Sequence, residues 1–203
     1  MGEVALGCYA VYGALALGLR SVIQVRRTGS TGLKGVSGSP GSIEWYAGIL
    51  FGVALVIGVL APVLDVTDAL DPIGAVDGPG AHALGLALFG LGLAATLYAQ
   101  LAMGESWRVG VDQNERTELV TGGPFAVVRN PIFAAMIPTF LGLTLMVPNV
   151  VAFAGFAALV VALEIQVRLV EEPYLRAAHG QAYTSYASRT GRFAPRVGRM
   201  GHP

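Results

Sequence analysis

The 203-residue chain is poor in cysteine, histidine and charge. Its single cysteine, Cys8, cannot close an intrachain disulfide or build a cysteine-based zinc site. The three histidines, His82, His179 and His202, lie far apart and form no HxxxH or HxH pair, so no metal is expected. There is no P-loop and no Gly-x-Ser-x-Gly nucleophile elbow. The 28 glycines follow no Gly-X-Y period, which excludes a collagen helix. Thirteen basic and 13 acidic residues make up 13% of the chain, about half the usual share for a soluble domain. They cancel to a net charge of zero, so no basic field draws the protein to nucleic acid. What remains is 54% hydrophobic and long enough for one membrane domain spanning residues 1–203.

Apolar runs long enough to cross a bilayer occupy residues 4–25, 43–64 and 80–103. Two shorter runs, 132–147 and 150–167, are split by Pro148-Asn149, a turn signal. The expected fold is therefore all-α and polytopic, with five transmembrane helices, the last two forming a tight hairpin. Residues 104–131 and 169–197 form a cytosolic cap. The Gly/Ser-rich stretch 28–42 reads as a flexible connector. Small residues on the third run, Gly85, Gly90, Gly92 and Ala94, suit close helix approach in lipid.

Charge sorts by side. The 65–79 loop carries Asp65, Asp68, Asp71 and Asp77 and no basic residue. With five spans, all 13 basic residues, including Lys34 and Arg116, fall on the opposite side. By the positive-inside rule that side is the cytosol, leaving the N-terminus outside and the C-terminus inside. Arg20, near the end of the first run, is close enough to snorkel to the interface.

Polar chemistry gathers in two stretches of that side. Arg129-Asn130-Pro131 opens the fourth run, with Pro131 placed for a first helical turn. Helix N-terminal amides beside an arginine favour a carboxylate, although Arg129 also reads as an interface anchor. Glu164, Arg168, Glu171 and Glu172 recur at offsets of 0, 4, 7 and 8, one helical face. They form either a self-satisfied cluster or a site. Pro173 marks a boundary or kink just beyond. Tyr183, Tyr186, Arg189 and Arg192 continue as a short helix that either covers a pocket or lies in the interface.

The ordered set Gly122-Gly123-Pro124-Phe125, Val128-Arg129-Asn130-Pro131-Ile132-Phe133, Glu171-Glu172, Tyr183-x-x-Tyr186 and Arg192-Phe193-x-Pro195 resembles the isoprenylcysteine carboxyl methyltransferases. Bacterial members of that family and the related phospholipid methyltransferases share it, and the resemblance covers about residues 85–197. It implies an integral protein of the bacterial inner membrane that binds S-adenosylmethionine in a cytosolic-side pocket capped by the C-terminal segment. By the same resemblance, Arg129 and Asn130 sit at the amino-acid end of the cofactor, and Glu171 and Glu172 approach its ammonium or the substrate. Gly90-Leu91-Gly92 matches a cofactor-facing Gly-x-Gly, and Leu119, Val120 and Gly122 offer backbone contacts. Two positions depart from the pattern: Asn130 replaces histidine and Phe133 replaces tyrosine. Asn130 cannot titrate near neutrality, so a base at that position is lost.

These readings converge on a methyltransferase. Methyl transfer from a sulfonium requires alignment and exclusion of water, and no metal. A carboxylate acceptor is already ionised, whereas a phenol, thiol or amine needs a partner such as Glu171. Glu171 and Arg168 are the expected catalytic residues. The partners are membrane lipids and a lipophilic substrate entering from the bilayer. Two other readings are a nicotinamide-dependent membrane reductase of the sterol-reductase-like group and a non-catalytic scaffold, whose charged cluster would close on itself without a cavity.

Overall fold

The computed structural model describes residues 1–33, 35–110 and 118–201. Lys34, Arg116 and His202 lie outside the described residues. Helix α1 (Gly2–Tyr12) runs through a π-helical segment, Gly13–Leu19, into α2 (Arg20–Thr28). Helix α3 spans Ile43–Val66, α4 Pro79–Met103, α5 Pro131–Met146 and α6 Val150–Ile165. A second π-helical segment, Gln166–Glu171, joins α6 to α7 (Glu172–Arg189). Short 3-10 turns occupy Gly104–Ser106 and Gly123–Ala126. All regular structure among the described residues is helical.

Among the described residues, four helical rods are long and apolar enough to cross a membrane: Gly2–Thr28, Ile43–Val66, Pro79–Ser106 and Val150–Arg189. The remaining apolar helix, α5, has 16 residues and is shorter than the other four. Prolines bound it on both sides, Pro131 at its first turn and Pro148 just past its end. Most of α5 is buried, so it acts as the hub of the bundle.

Local chemistry sets the helix ends. The Ser42 hydroxyl accepts from the Trp45 amide at 3.2 Å to start α3. The Asn149 carbonyl oxygen does the same for α6, accepting from the Ala152 amide at 2.9 Å. Gly29 closes α2 in the left-handed conformation that glycine adopts without strain. Gly180, at φ 52°, breaks α7 into two short helices.

Helix α4 packs most extensively on α5, and α3 on α6. The α4–α5 contact is backbone against backbone. A Cβ at Gly142 would lie 2.5 Å from the Gly85 carbonyl, and one at Gly92 would lie 2.2 Å from Thr139 Oγ1. Gly90 and Ala94, on the opposite side of α4, are exposed, so only part of the small-residue set serves helix approach. Between the pairs lies a core of Met136, Phe140, Leu143, Met146, Leu159 and Leu163. Phe140 meets Tyr9 and Tyr12 edge-on at 5.8 and 5.3 Å.

The two ends of the bundle differ. At the acidic end the Gly2 amide donates to Asp65 at 2.8 Å, and the Ile73 amide to the Pro148 carbonyl at 2.8 Å. Every described basic residue lies at the other end. There Arg20 departs from the snorkelling expected of it. It is buried, donates to the Gly104 carbonyl and to Gln24, and stacks over Trp107 at 4.6 Å. Carbonyls at the C-terminal end of α4 need donors, and Arg20 supplies one. The Gly/Ser connector is tied down as well, since the Val109 amide donates to the Gly32 carbonyl at 2.8 Å.

The α4–α5 contact leads to a prediction. Gly142→Ala should destabilise the protein by about 1–3 kcal/mol through overpacking. Gly90→Ala, with nothing within 4 Å of its Cβ, should leave stability unchanged. Thermal unfolding of both variants in detergent distinguishes the two positions.

Candidate active site

A cavity of about 540 Å³ opens at the basic end and extends into the bundle. That volume is in the range of small-molecule and cofactor sites. Its inner limb is walled by Tyr9, Tyr12, Phe51, Leu55, Phe140 and Leu163, drawn from α1, α3, α5 and α6. Its mouth is walled by Arg108, Arg129, Asn130, Glu171, Tyr174 and Tyr183. Both π-helical segments border it, through Gly13, Ala16 and Leu17 on one side and Gln166 and Glu171 on the other. An extra residue per turn shifts the face that a helix presents, and such segments recur at functional sites.

Behind the mouth lies a buried ionic cluster. Arg129 Nη2 donates to Glu172 Oε1 at 2.7 Å, and Arg192 grips the same carboxylate through Nε at 2.7 Å and Nη2 at 2.9 Å. Arg129 also donates to the carbonyls of Ala187 (3.0 Å), Gly198 (2.9 Å) and Thr190. Main-chain bonds run alongside, from the Arg129 amide to Gly191 at 2.8 Å and from the Asn130 amide to Arg192 at 3.1 Å. The Tyr186 hydroxyl donates to the Phe125 carbonyl at 2.6 Å. The C-terminal segment is thereby fastened over the start of α5. Burial opposes ionisation of Glu172, but hydrogen bonds from Arg192 and Arg129 hold its carboxyl below the usual range. Two guanidiniums around one carboxylate leave a net positive charge beside the N-terminus of α5.

Glu171 is one residue away and differently placed. It lies beyond the apolar run of α6, half-buried on the cavity wall, and its one direct hydrogen bond among the described contacts comes from Gln166 at 3.4 Å. Burial pushes its carboxyl up to about 7, against that hydrogen bond and the charge of Arg108, while neighbouring Glu172 raises it further. Arg108 stacks over Tyr174 at 5.3 Å across the same mouth.

Other expectations need correction. Glu164, Arg168, Glu171 and Glu172 do not share one face, because the π-helical segment changes the helical phase between them. Arg168 pairs with Glu164 on the outside, its side chain 55% exposed, away from the cavity. Glu172 is held in the ionic cluster behind the wall. Gly90 and Gly92 are not on the cavity: Gly92 faces Thr139, and Gly90 points away from the bundle. Gly122 is exposed and caps the Gly123–Ala126 turn. The structure does bring Leu119, Val120, Arg129, Asn130 and Glu171 together on one cavity. Sequence reasoning passed over Gln100, which also lines it. The available signal was that Gln100 is the sole amide side chain in the apolar run 80–103.

A family model described as phospholipid methyltransferase matches residues 81–182, from the start of α4 into α7. The chain belongs to the phospholipid methyltransferase family. No curated protein matches it. The match takes in nearly all of α4, the sequence from Trp107 to Asn130, the α5–α6 hairpin and both glutamates. The family is one of methyltransferases, and the apolar rods make this member an integral membrane protein.

The contrast between the two glutamates is measurable. Glu172→Ala leaves the buried Arg129 guanidinium and the partly buried Arg192 guanidinium uncompensated and should cost about 3–5 kcal/mol. For Glu171, folding raises the affinity for a proton, so native stability falls as pH rises from the ordinary glutamate range through about 7 and then levels. Glu171→Gln removes that dependence. Thermal unfolding should show Glu171→Gln gaining on wild type between pH 5 and 8, and a gap independent of pH would contradict this.

Proposed function

We propose that the protein is an S-adenosylmethionine-dependent methyltransferase acting on a lipophilic small molecule or lipid at the cytosolic membrane face. The carrying observation is a single cavity with a dipolar mouth and an apolar inner limb. The mouth suits a zwitterionic amino acid. Arg129 Nε is buried and has no partner among the described residues, although every other donor of that guanidinium is engaged. It and the start of α5 would receive the cofactor's carboxylate. Glu171, with its single weak contact, would accept from the ammonium. Leu119 and Val120 would supply apolar contact nearby. When bound, the cofactor supplies an electrophilic methyl group.

The inner limb would hold the acceptor, which enters from the bilayer between the rods. The positive-inside rule makes the basic end cytosolic and the acidic end external, with the N-terminus outside and α5 completing five crossings in an inner membrane. The reductase reading gains nothing from the family match. The scaffold reading required a charged cluster closed on itself with no cavity, and here Glu171 opens onto one beside the closed cluster.

Calorimetric titration of the protein in detergent with S-adenosylhomocysteine tests the proposal. Saturable binding is expected, and its absence in folded protein would overturn it. Glu171→Ala should weaken binding about tenfold, as expected for one hydrogen bond to a charged group. Arg168→Ala, altering only an exposed pair, should leave it unchanged.

A further inference from the structure

Among the buried polar atoms that the proposed reaction leaves unexplained, one on α4 borders the cavity. Gln100 is 4% exposed and lines the cavity. Its Nε2 donates to the Ala16 carbonyl in the first π-helical segment at 2.9 Å. That bond fixes the amide orientation, because the opposite rotamer would set oxygen against oxygen. The other atom, Oε1, is buried and has no hydrogen-bond partner among the described residues. A buried carbonyl left unpaired costs free energy unless something completes it.

Its position indicates what does so. On α4, Gly85 meets Gly142 and Gly92 meets Thr139 of the antiparallel α5. Continuing that register places Gln100 at the level of the first turn of α5, where the polar mouth gives way to the inner limb. An acceptor whose apolar body fills the limb brings its head group to this level. A neutral, fixed oxygen there rewards a head that donates an O–H or N–H. It disfavours a carboxylate, which can only accept and would face another acceptor.

We infer that Gln100 is a specificity-determining residue: its Oε1 receives a hydrogen bond from a donor on the head group of the lipophilic acceptor, so a donor head is preferred there and a head that can only accept is disfavoured. This rests on the reading of the inner limb as the acceptor's seat. The single-donor principle is that of sites that reject analogues lacking a hydrogen-bonding group.

The test uses two probes of matched shape, 4-nonylphenol and its methyl ether, titrated into the full-length protein in detergent without cofactor. Binding is read by fluorescence of Trp107, which lines the cavity, in a Trp45→Phe background. The phenol should bind about tenfold more tightly than the ether. Gln100→Met should abolish the preference while leaving ether binding intact. Gln100→Glu, protonated in this setting, keeps both an oxygen acceptor and a donor to Ala16 and should restore the preference. Equal binding of the two probes, a preference that survives Gln100→Met, or no binding of either overturns the inference. Because no cofactor is present, none of these results bears on the S-adenosylhomocysteine titration, so failure here is separable from failure of the methyltransferase reading.

Discussion

The grip of Arg129 and Arg192 on Glu172 is the constraint on which the rest of the basic end depends. An unpaired carboxylate at this depth would be expensive, and two guanidiniums with satisfied carbonyl partners offset that cost. The cluster joins three places far apart in sequence: the entry to α5, the start of α7 and the tail beyond Thr190. Once it is closed, Tyr183 and Tyr186 are buried, the tail is fastened to the start of α5, and Glu171 lies on the cavity wall. The cluster builds the site without contributing most of its own polar atoms to it.

One backbone feature sends the two glutamates to different surroundings, Glu172 into the ionic cluster and Glu171 onto the cavity wall. Neighbours in a helix point about 100° apart, so Glu171 and Glu172 cannot both face the cavity. The π-helical segment before them selects which one does. The corresponding segment in the first rod places the Ala16 carbonyl within reach of Gln100. Both π-helical segments thus border the cavity.

Much of the architecture could be read from composition and spacing. Apolar runs marked the rods, Pro148-Asn149 marked the turn into α6, and charge sorting separated the two ends, because each reflects a solvation cost that a sequence displays directly. The site was legible only in part. Arg129, Asn130 and Glu171 stood out because ionisable and amide groups are rare in this chain. The face assigned to Arg168 was wrong because periodicity assumes 3.6 residues per turn, and an inserted π turn leaves no mark on the sequence. Gly92 was ambiguous for a different reason. Glycine admits either a ligand or a neighbouring helix, and only the position of Thr139 decides between them.

The location of Arg192 has a consequence for biogenesis. Glu172 emerges during synthesis before the arginine that neutralises it with two bonds, and the main-chain bonds from Arg129 and Asn130 also await Gly191 and Arg192. The apolar rods can therefore be inserted in the membrane before the C-terminal segment is fastened to the start of α5. Closure of the basic end becomes a late event, coupled to completion of the polypeptide. A nascent chain stopped short of Arg192 would leave Glu172 with Arg129 as its one cationic partner in the cluster.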